Sequence, residues 1–136
     1  MTNVKTMIAG GAVAAAFAIA AACGGGSSNN TTGPTGGCTP STNPNTFVIQ
    51  NNQVCPQTLT VAVGSQVTMI NNDSNVHEMD SDPHPEHTDC PPLNQIDFLN
   101  PGQSRSSGNL TTARRCGFHD HSRPDVAALK GTITIQ

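Results

Sequence analysis

The five histidines of the chain all lie between positions 77 and 121. His77, His84 and His87 stand in a segment rich in proline and acidic residues, and His119 and His121 belong to a His-Asp-His triplet. In a β-strand, alternate residues point to the same face, so His119 and His121 could bind one ion together. Imidazole is the commonest metal ligand, and a nitrogen-rich set favours copper among the divalent first-row metals. The spacing therefore predicts a metal site, with copper as the metal.

The carboxylates among these histidines leave an enzyme as an alternative. A metal ion with an open coordination position beside an acidic group can activate water. The acidic residues in question are Glu78, Asp80, Asp82, Glu86, Asp89 and Asp120. No acid–base pair and no nucleophile spacing stands out, so we expect them to orient imidazoles or to solvate the loop. The interpretation without a metal is a surface strand end beside solvated loop histidines.

The cysteines point to an oxidising compartment. Beyond Cys23 there are four more, Cys38, Cys55, Cys90 and Cys116. An even number in a small exported domain is most simply two disulfides, with three possible pairings. We expect Cys38–Cys55, which would pin the N-terminal segment to the sheet, and Cys90–Cys116, which would brace the histidine-rich loop.

Residues 1–22 predict an export signal. Lys5 precedes an apolar, Ala-rich run, which ends in three alanines before Cys23. This pattern is typical of a secretory signal and is shorter than a membrane span. Ala20-Ala21-Ala22-Cys23 resembles a bacterial lipobox, with Ala20 in place of the usual leucine, which implies that Cys23 is lipidated. The alternative is plain secretion with cleavage near Ala22.

Residues 23–37 are rich in Gly, Ser, Asn and Thr and predict a flexible tether. We therefore expect an exported protein in the periplasm or at the cell surface, held at the membrane only by its lipid. Acidic residues outnumber basic ones by 9 to 6, which argues against nucleic acid and against polybasic membrane binding. We expect the protein to be a monomer.

Residues 38–136 must position the histidines, and they predict one all-β domain. Several short period-2 runs between turn residues predict a sandwich or barrel. The predicted strands are Thr46–Gln50, Thr58–Val63, Gln66–Ile70, Gln95–Leu99, Ser106–Leu110, Ala113–Phe118 and Gly131–Gln136. Residues 72–94 read as a long irregular loop, and Val126–Lys130 as a helical turn.

Three stretches of this domain resemble cupredoxins, in the same order along the chain. Asn52–Asp73 followed by His77 is similar to the family's first half, which leads to its first copper histidine. Leu99–Ser104 resembles the turn before the penultimate hairpin, and Cys116–His121 with Leu129–Ile135 resembles the ligand loop and last strand. The resemblance implies a Greek-key cupredoxin-like β-sandwich and electron transfer as its activity.

The same resemblance implies an altered copper site. The blue copper site of the family needs a cysteine, a histidine and an axial methionine in the ligand loop. Counting back from Gly131, the cysteine position falls near Asp120 or His121, and the methionine position is Leu129. The resemblance carries His77 over directly as a ligand.

In this comparison His121, with His119, is a substitute by position, and His84 and His87 lie in an insertion that could add ligands. We therefore expect a non-blue copper site built on His77, His119 and His121. Copper holding or delivery is the alternative to electron transfer. The resemblance thus implies a redox or copper-exchange protein as the partner.

A second resemblance concerns Gly117–His121, which is similar to the Gly-Phe-His-x-His strand of copper–zinc superoxide dismutases. That family has further ligands after this strand, whereas this chain has no histidine after His121. A superoxide dismutase-like copper enzyme is therefore a third alternative, and an electron carrier or copper-binding protein is preferred.

Overall fold

A computed structural model describes residues 37–136. The predicted signal segment, Cys23 and all but the last residue of the predicted tether lie outside the described residues. Nine strands follow one another in this order: β1 Thr46–Gln50, β2 Gln53–Cys55, β3 Thr58–Val61, β4 Thr68–Asn71, β5 His77–Ser81, β6 Asp97–Leu99, β7 Ser104–Ser106, β8 Arg114–Asp120 and β9 Lys130–Ile135. Short 3₁₀ helices span Pro91–Gln95 and Ala127–Leu129. Within residues 37–136 there is no helix with the length and apolar character needed to cross a bilayer.

The strands form two sheets, ordered β2-β1-β4-β7 and β3-β9-β8-β5-β6. Pairing is parallel between β1 and β4 and between β3 and β9, and antiparallel in the other pairs. The core lies between the sheets, where Phe47 of β1 and Phe118 of β8 meet edge to face at 4.8 Å between ring centroids. This arrangement confirms the predicted all-β sandwich.

Alternate residues of β5 and of β8 lie on opposite faces of the five-stranded sheet. Residues directly opposite in an antiparallel pair share a face, and the register pairs Ser81 with Phe118 and Asp80 with His119. Because Phe118 is in the core, Ser81 is on the inner face of the sheet. Asp80 and His119 are consequently on the outer face. Residues 82–90, which follow β5, cover this outer face, and His119 is only 1% exposed.

Two disulfides close the domain. Cys38 is bonded to Cys55 and Cys90 to Cys116, with Cα–Cα distances of 6.1 and 5.7 Å. These are the pairs expected from the sequence. The second bond ties the end of the loop after β5 to strand β8.

The strand predictions fail where the apolar alternation is missing. β5 lies inside the segment predicted to be irregular, because its inner face carries the polar His77 and Ser81 as well as Met79. The predicted strand Ser106–Leu110 overlaps β7 only at its first residue, since all three β7 residues are exposed on a sheet edge. β2 has three residues, too few for a visible period.

Candidate metal site

Four histidines converge on the outer face of the five-stranded sheet. One potential ligand atom from each of His84, His87, His119 and His121 lies within 4.8 Å of the others. Five of the ring pairs have centroid separations between 4.8 and 5.8 Å. We call these four residues the histidine cluster. Four imidazoles around a common centre can supply four nitrogen ligands to one metal ion.

Strand β8 supplies two members of the cluster. His119 is in the strand, and His121 comes directly after its last residue. The backbone N–H of His121 still donates to the carbonyl of Glu78 in β5, at 2.7 Å. The strand geometry therefore continues through His121, and the period of two directs both imidazoles to the outer face.

The loop after β5 supplies the other two, and hydrogen bonds fix its shape at His87. This residue has a left-handed backbone with φ of 51°, which costs a non-glycine residue about 1–2 kcal/mol. Its N–H donates to the carbonyl of Pro83 at 2.8 Å. Its own carbonyl accepts from Ser81 Oγ at 2.9 Å and from Asn94 Nδ2 at 2.8 Å. A strained residue held by three hydrogen bonds indicates that the loop positions the ring of His87 before any ion binds.

His119 has one engaged and one free ring nitrogen. Its Nδ1 lies 2.6 Å from Asp82 Oδ1. Its Nε2 is the one buried side-chain nitrogen or oxygen among residues 37–136 that has no hydrogen-bond partner. Leaving such an atom unsatisfied costs about 1–3 kcal/mol. A metal ion bound at Nε2 would satisfy it, so this atom fits a ligand role.

His87 and His121 contact each other, and both lie near a carboxylate. His121 Nδ1 is 3.1 Å from His87 Nε2. Asp80 Oδ2 lies 3.7 Å from His87 Nδ1 and 3.8 Å from His121 Nδ1. The mostly buried charge of Asp80 would offset that of a bound cation. His84 is exposed, so the cluster can be reached from solvent at one side.

His77 is in a different environment, on the inner face of the sheet. Its Nδ1 lies 2.8 Å from Asp120 Oδ2 and 2.9 Å from Arg123 Nη2, and its Nε2 lies 3.1 Å from Asp73 Oδ2. We call Asp73, His77, Asp120 and Arg123 the His77 network. Carboxylates occupy both nitrogens of this fully buried ring.

The sequence led us to expect His77, His119 and His121 in one site. This prediction is wrong, because the structure places His77 on the opposite face of the sheet from the other two. The reason is the strand period, because His77 and Asp120 point inward and the two neighbours of Asp120 point outward. The loop histidines, expected only as possible further ligands, take their place beside His119 and His121.

Asp120 carries a negative charge within the His77 network. Burial acts to raise the pKa of this carboxyl, but its hydrogen bond with His77 and the positive charge of Arg123 outweigh that effect. The pKa is therefore lowered from its ordinary value of 3.8. An ionised Asp120 and Arg123, with Nη2 to Oδ2 at 2.9 Å, form an ion pair at the end of the core.

Sulfur is absent from the histidine cluster. Cys116 and Cys90 are bonded to each other, and Met79 is fully buried in the core on the inner face. Leu129, at the position that the cupredoxin resemblance assigns to the axial methionine, is also fully buried. The donors available on the outer face are imidazoles and carboxylates.

Sequence reasoning named Asp82 among the acidic residues that could orient imidazoles but did not pair it with His119, and it missed Gly117. A glycine inside a strand often marks a close approach of another group, so Gly117 was the available signal. Arg123, in the His77 network, had no such signal.

Comparisons with known proteins agree with this architecture. No protein-family model matches the chain, and no curated protein matches it in sequence. Among solved structures, a purple cupredoxin from Nitrosopumilus maritimus matches with a TM-score of 0.51 and 19% identity, over 67% of this chain and 98% of that one. Oxidised plastocyanin from the fern Dryopteris crassirhizoma matches with a TM-score of 0.52 and 19% identity, over 67% and 99%. A reduced mutant of amicyanin matches with a TM-score of 0.54 and 18% identity, over 71% and 85%. Residues 37–136 therefore have the cupredoxin fold, as the sequence resemblance implied.

Proposed function

We propose that this protein binds one copper ion through His84, His87, His119 and His121 and transfers electrons with it. The observation that carries the proposal is the buried Nε2 of His119, which has no partner although three further imidazoles surround it. Nitrogen donors without sulfur suit copper in preference to the other divalent first-row ions. When bound, copper supplies one-electron redox chemistry.

Two features of the chain support electron transfer. The hydrogen bonds at His87 hold the loop to β5 and to the 3₁₀ helix Pro91–Gln95, and the Cys90–Cys116 bond ties the end of the loop to β8. The ligands therefore need move little between oxidation states. The exposed ring of His84 gives a partner protein a route to the cluster. Among the matched folds, a mutant fern plastocyanin has been solved in oxidised and reduced forms, and a mutant of amicyanin with Cu(I).

Copper holding or delivery is the second candidate. Exposure of His84 and partial exposure of His121 favour it, because ligands at the surface can be exchanged for those of an acceptor. Both candidates need a partner protein, and we propose that the monomer meets it outside the cytoplasm. Two disulfides in so small a domain support export, and the lipid at Cys23 would hold the protein at a membrane.

The test is the metal content and the spectra of the mature protein produced in an oxidising compartment. We expect one copper per chain, a Cu(II) paramagnetic resonance signal with nitrogen couplings, and no intense absorption at the red end of the visible spectrum. Imidazoles cannot supply the thiolate-to-copper charge transfer that causes strong blue colour. An intense red absorption band would show a cysteine ligand and would contradict the four-histidine site.

The same sample separates the candidate functions. Reversible reduction with copper retained supports electron transfer, and passage of copper to an acceptor protein supports delivery. Rapid removal of superoxide would instead favour the third alternative, a superoxide dismutase-like copper enzyme. The matched control is His119→Ala, which removes the buried unpartnered nitrogen and should abolish the copper signal.

A further inference from the structure

Asp82 lies beside strand β8, next to His119, the most buried member of the histidine cluster. It is the first residue of the loop after β5, and its N–H donates to the carbonyl of Gly117 at 3.0 Å. Its carboxylate reaches His119, with Oδ1 at 2.6 Å from Nδ1. The side chain of Asp82 is 45% exposed, so burial in the core does not explain its position. The contact with His119 does.

Gly117 provides the space for this carboxylate. A Cβ at position 117 would collide with Asp82, whose side chain supplies all three of its nearest atoms. Gly117 does not have a positive φ, so backbone conformation does not require a glycine. The missing Cβ therefore serves the close approach of Asp82 to the strand.

Asp89, near the other end of the loop, also bonds to Gly117 of β8. Asp89 Oδ2 accepts the N–H of Gly117 at 3.1 Å, and Asp89 Oδ1 lies 2.6 Å from Arg114 Nη2. The N–H of Asp89 donates to the carbonyl of Asp82 at 2.7 Å. Both backbone groups of Gly117 are thus bonded to the loop that carries His84 and His87, which fixes Asp82 relative to His119.

We propose that Asp82 is a positioning residue, which keeps the proton of His119 on Nδ1 so that Nε2 faces the metal, and that Gly117 is required to admit it. This inference rests on the proposed copper site. A carboxylate that accepts the other N–H of a ligating imidazole fixes its tautomer and raises its basicity, and its loss typically lowers metal affinity about 10–100-fold.

The first test needs no metal. Nitrogen-15 NMR of the metal-free protein, at a pH where the imidazoles are neutral, reports which ring nitrogen of His119 is protonated. We expect the Nδ1–H tautomer in the wild type and a mixture of tautomers in Asp82→Ala. An Nε2–H tautomer in the wild type, or no change in the variant, overturns the proposal whether or not the protein binds copper.

The second test is a double-mutant cycle on Cu(II) affinity. Asp82→Ala and Gly117→Ala should each weaken binding about 10–100-fold. The double variant should bind no more weakly than either single one, because a Cβ at position 117 meets no carboxylate once Asp82 is truncated. Asp82→Asn, which keeps the size and loses the charge, should show a smaller loss.

The matched control is Glu86→Gln, which neutralises an exposed carboxylate on the same loop and should leave the affinity unchanged. Additive losses in the cycle would mean that Gly117 serves something other than Asp82. Unchanged affinity in Asp82→Ala would overturn the positioning role while leaving the copper site intact. A wild type that binds no copper would refute the proposed function, and the tautomer measurement would still decide the role of Asp82.

Discussion

His77 and His119 are both buried histidines on neighbouring strands, and in both the Nδ1 atom contacts an aspartate. They differ at the other nitrogen. Nε2 of His77 contacts Asp73, whereas Nε2 of His119 has no partner and lies beside three other imidazoles. Burial and a carboxylate partner are thus common to a structural histidine and a candidate ligand. What separates them is whether the second nitrogen is already engaged.

Alanine substitutions at His119 and at His77 should show the largest difference between the two histidines. His119→Ala should lower Cu(II) affinity by more than the roughly 100-fold that loss of an outer partner can cost, because a ligand itself is removed. His77→Ala should leave copper affinity essentially unchanged. It should instead lower the free energy of unfolding by about 1–3 kcal/mol, since the buried Asp120 loses a hydrogen-bond partner. Copper titration against a competing chelator and urea unfolding measure the two effects. A His77→Ala variant as damaging to copper binding as His119→Ala would mean that the His77 network is the metal site.

Removing one disulfide or the other should distinguish the histidine cluster from the rest of the domain, with a smaller effect on copper affinity. Removing either bond, as Cys90→Ala with Cys116→Ala or as Cys38→Ala with Cys55→Ala, should cost about 2–4 kcal/mol of stability. Only the first pair should also weaken copper binding, because Cys90 closes the loop that carries His84 and His87. The second pair joins β2, in the other sheet, and is the control. Equal copper affinities for the two double variants would show that the hydrogen bonds at His87 suffice to hold the loop.

The smallest effect is a pH dependence confined to the His77 network. Because the pKa of Asp120 is lowered in the folded state, its charge stabilises the fold above the ordinary value of 3.8, and this contribution is lost as pH falls through the folded pKa. Asp120→Asn should therefore destabilise the protein by about 1.5 kcal/mol near neutral pH. The difference from wild type should shrink below pH 3.8. Urea unfolding of both proteins across this range measures it, and a difference independent of pH would show that the charge of Asp120 is not responsible.

The alternation of polar and apolar residues predicted most of the fold from the sequence. The prediction failed where polar residues are buried. β1 has the predicted bounds, and the shared face of His119 and His121 follows from their spacing alone. The position of His77 could not be obtained this way, because no residue pattern shows which face of β5 is inside when both faces carry polar groups. The approach of Asp82 to Gly117 joins residues far apart in the chain, so only the folded structure shows it.

The place of β9 in the sheet also constrains how this protein can fold. The last strand lies between β3 and β8, where it pairs Thr58 with Thr132 and Cys116 with Ile133. A ribosome must therefore release the chain as far as Ile135 before the centre of the five-stranded sheet can form. Contacts between such distant residues slow folding, because the loop between them must close first. Until β9 is in place, β8, the strand that carries His119, lacks one of its two neighbouring strands.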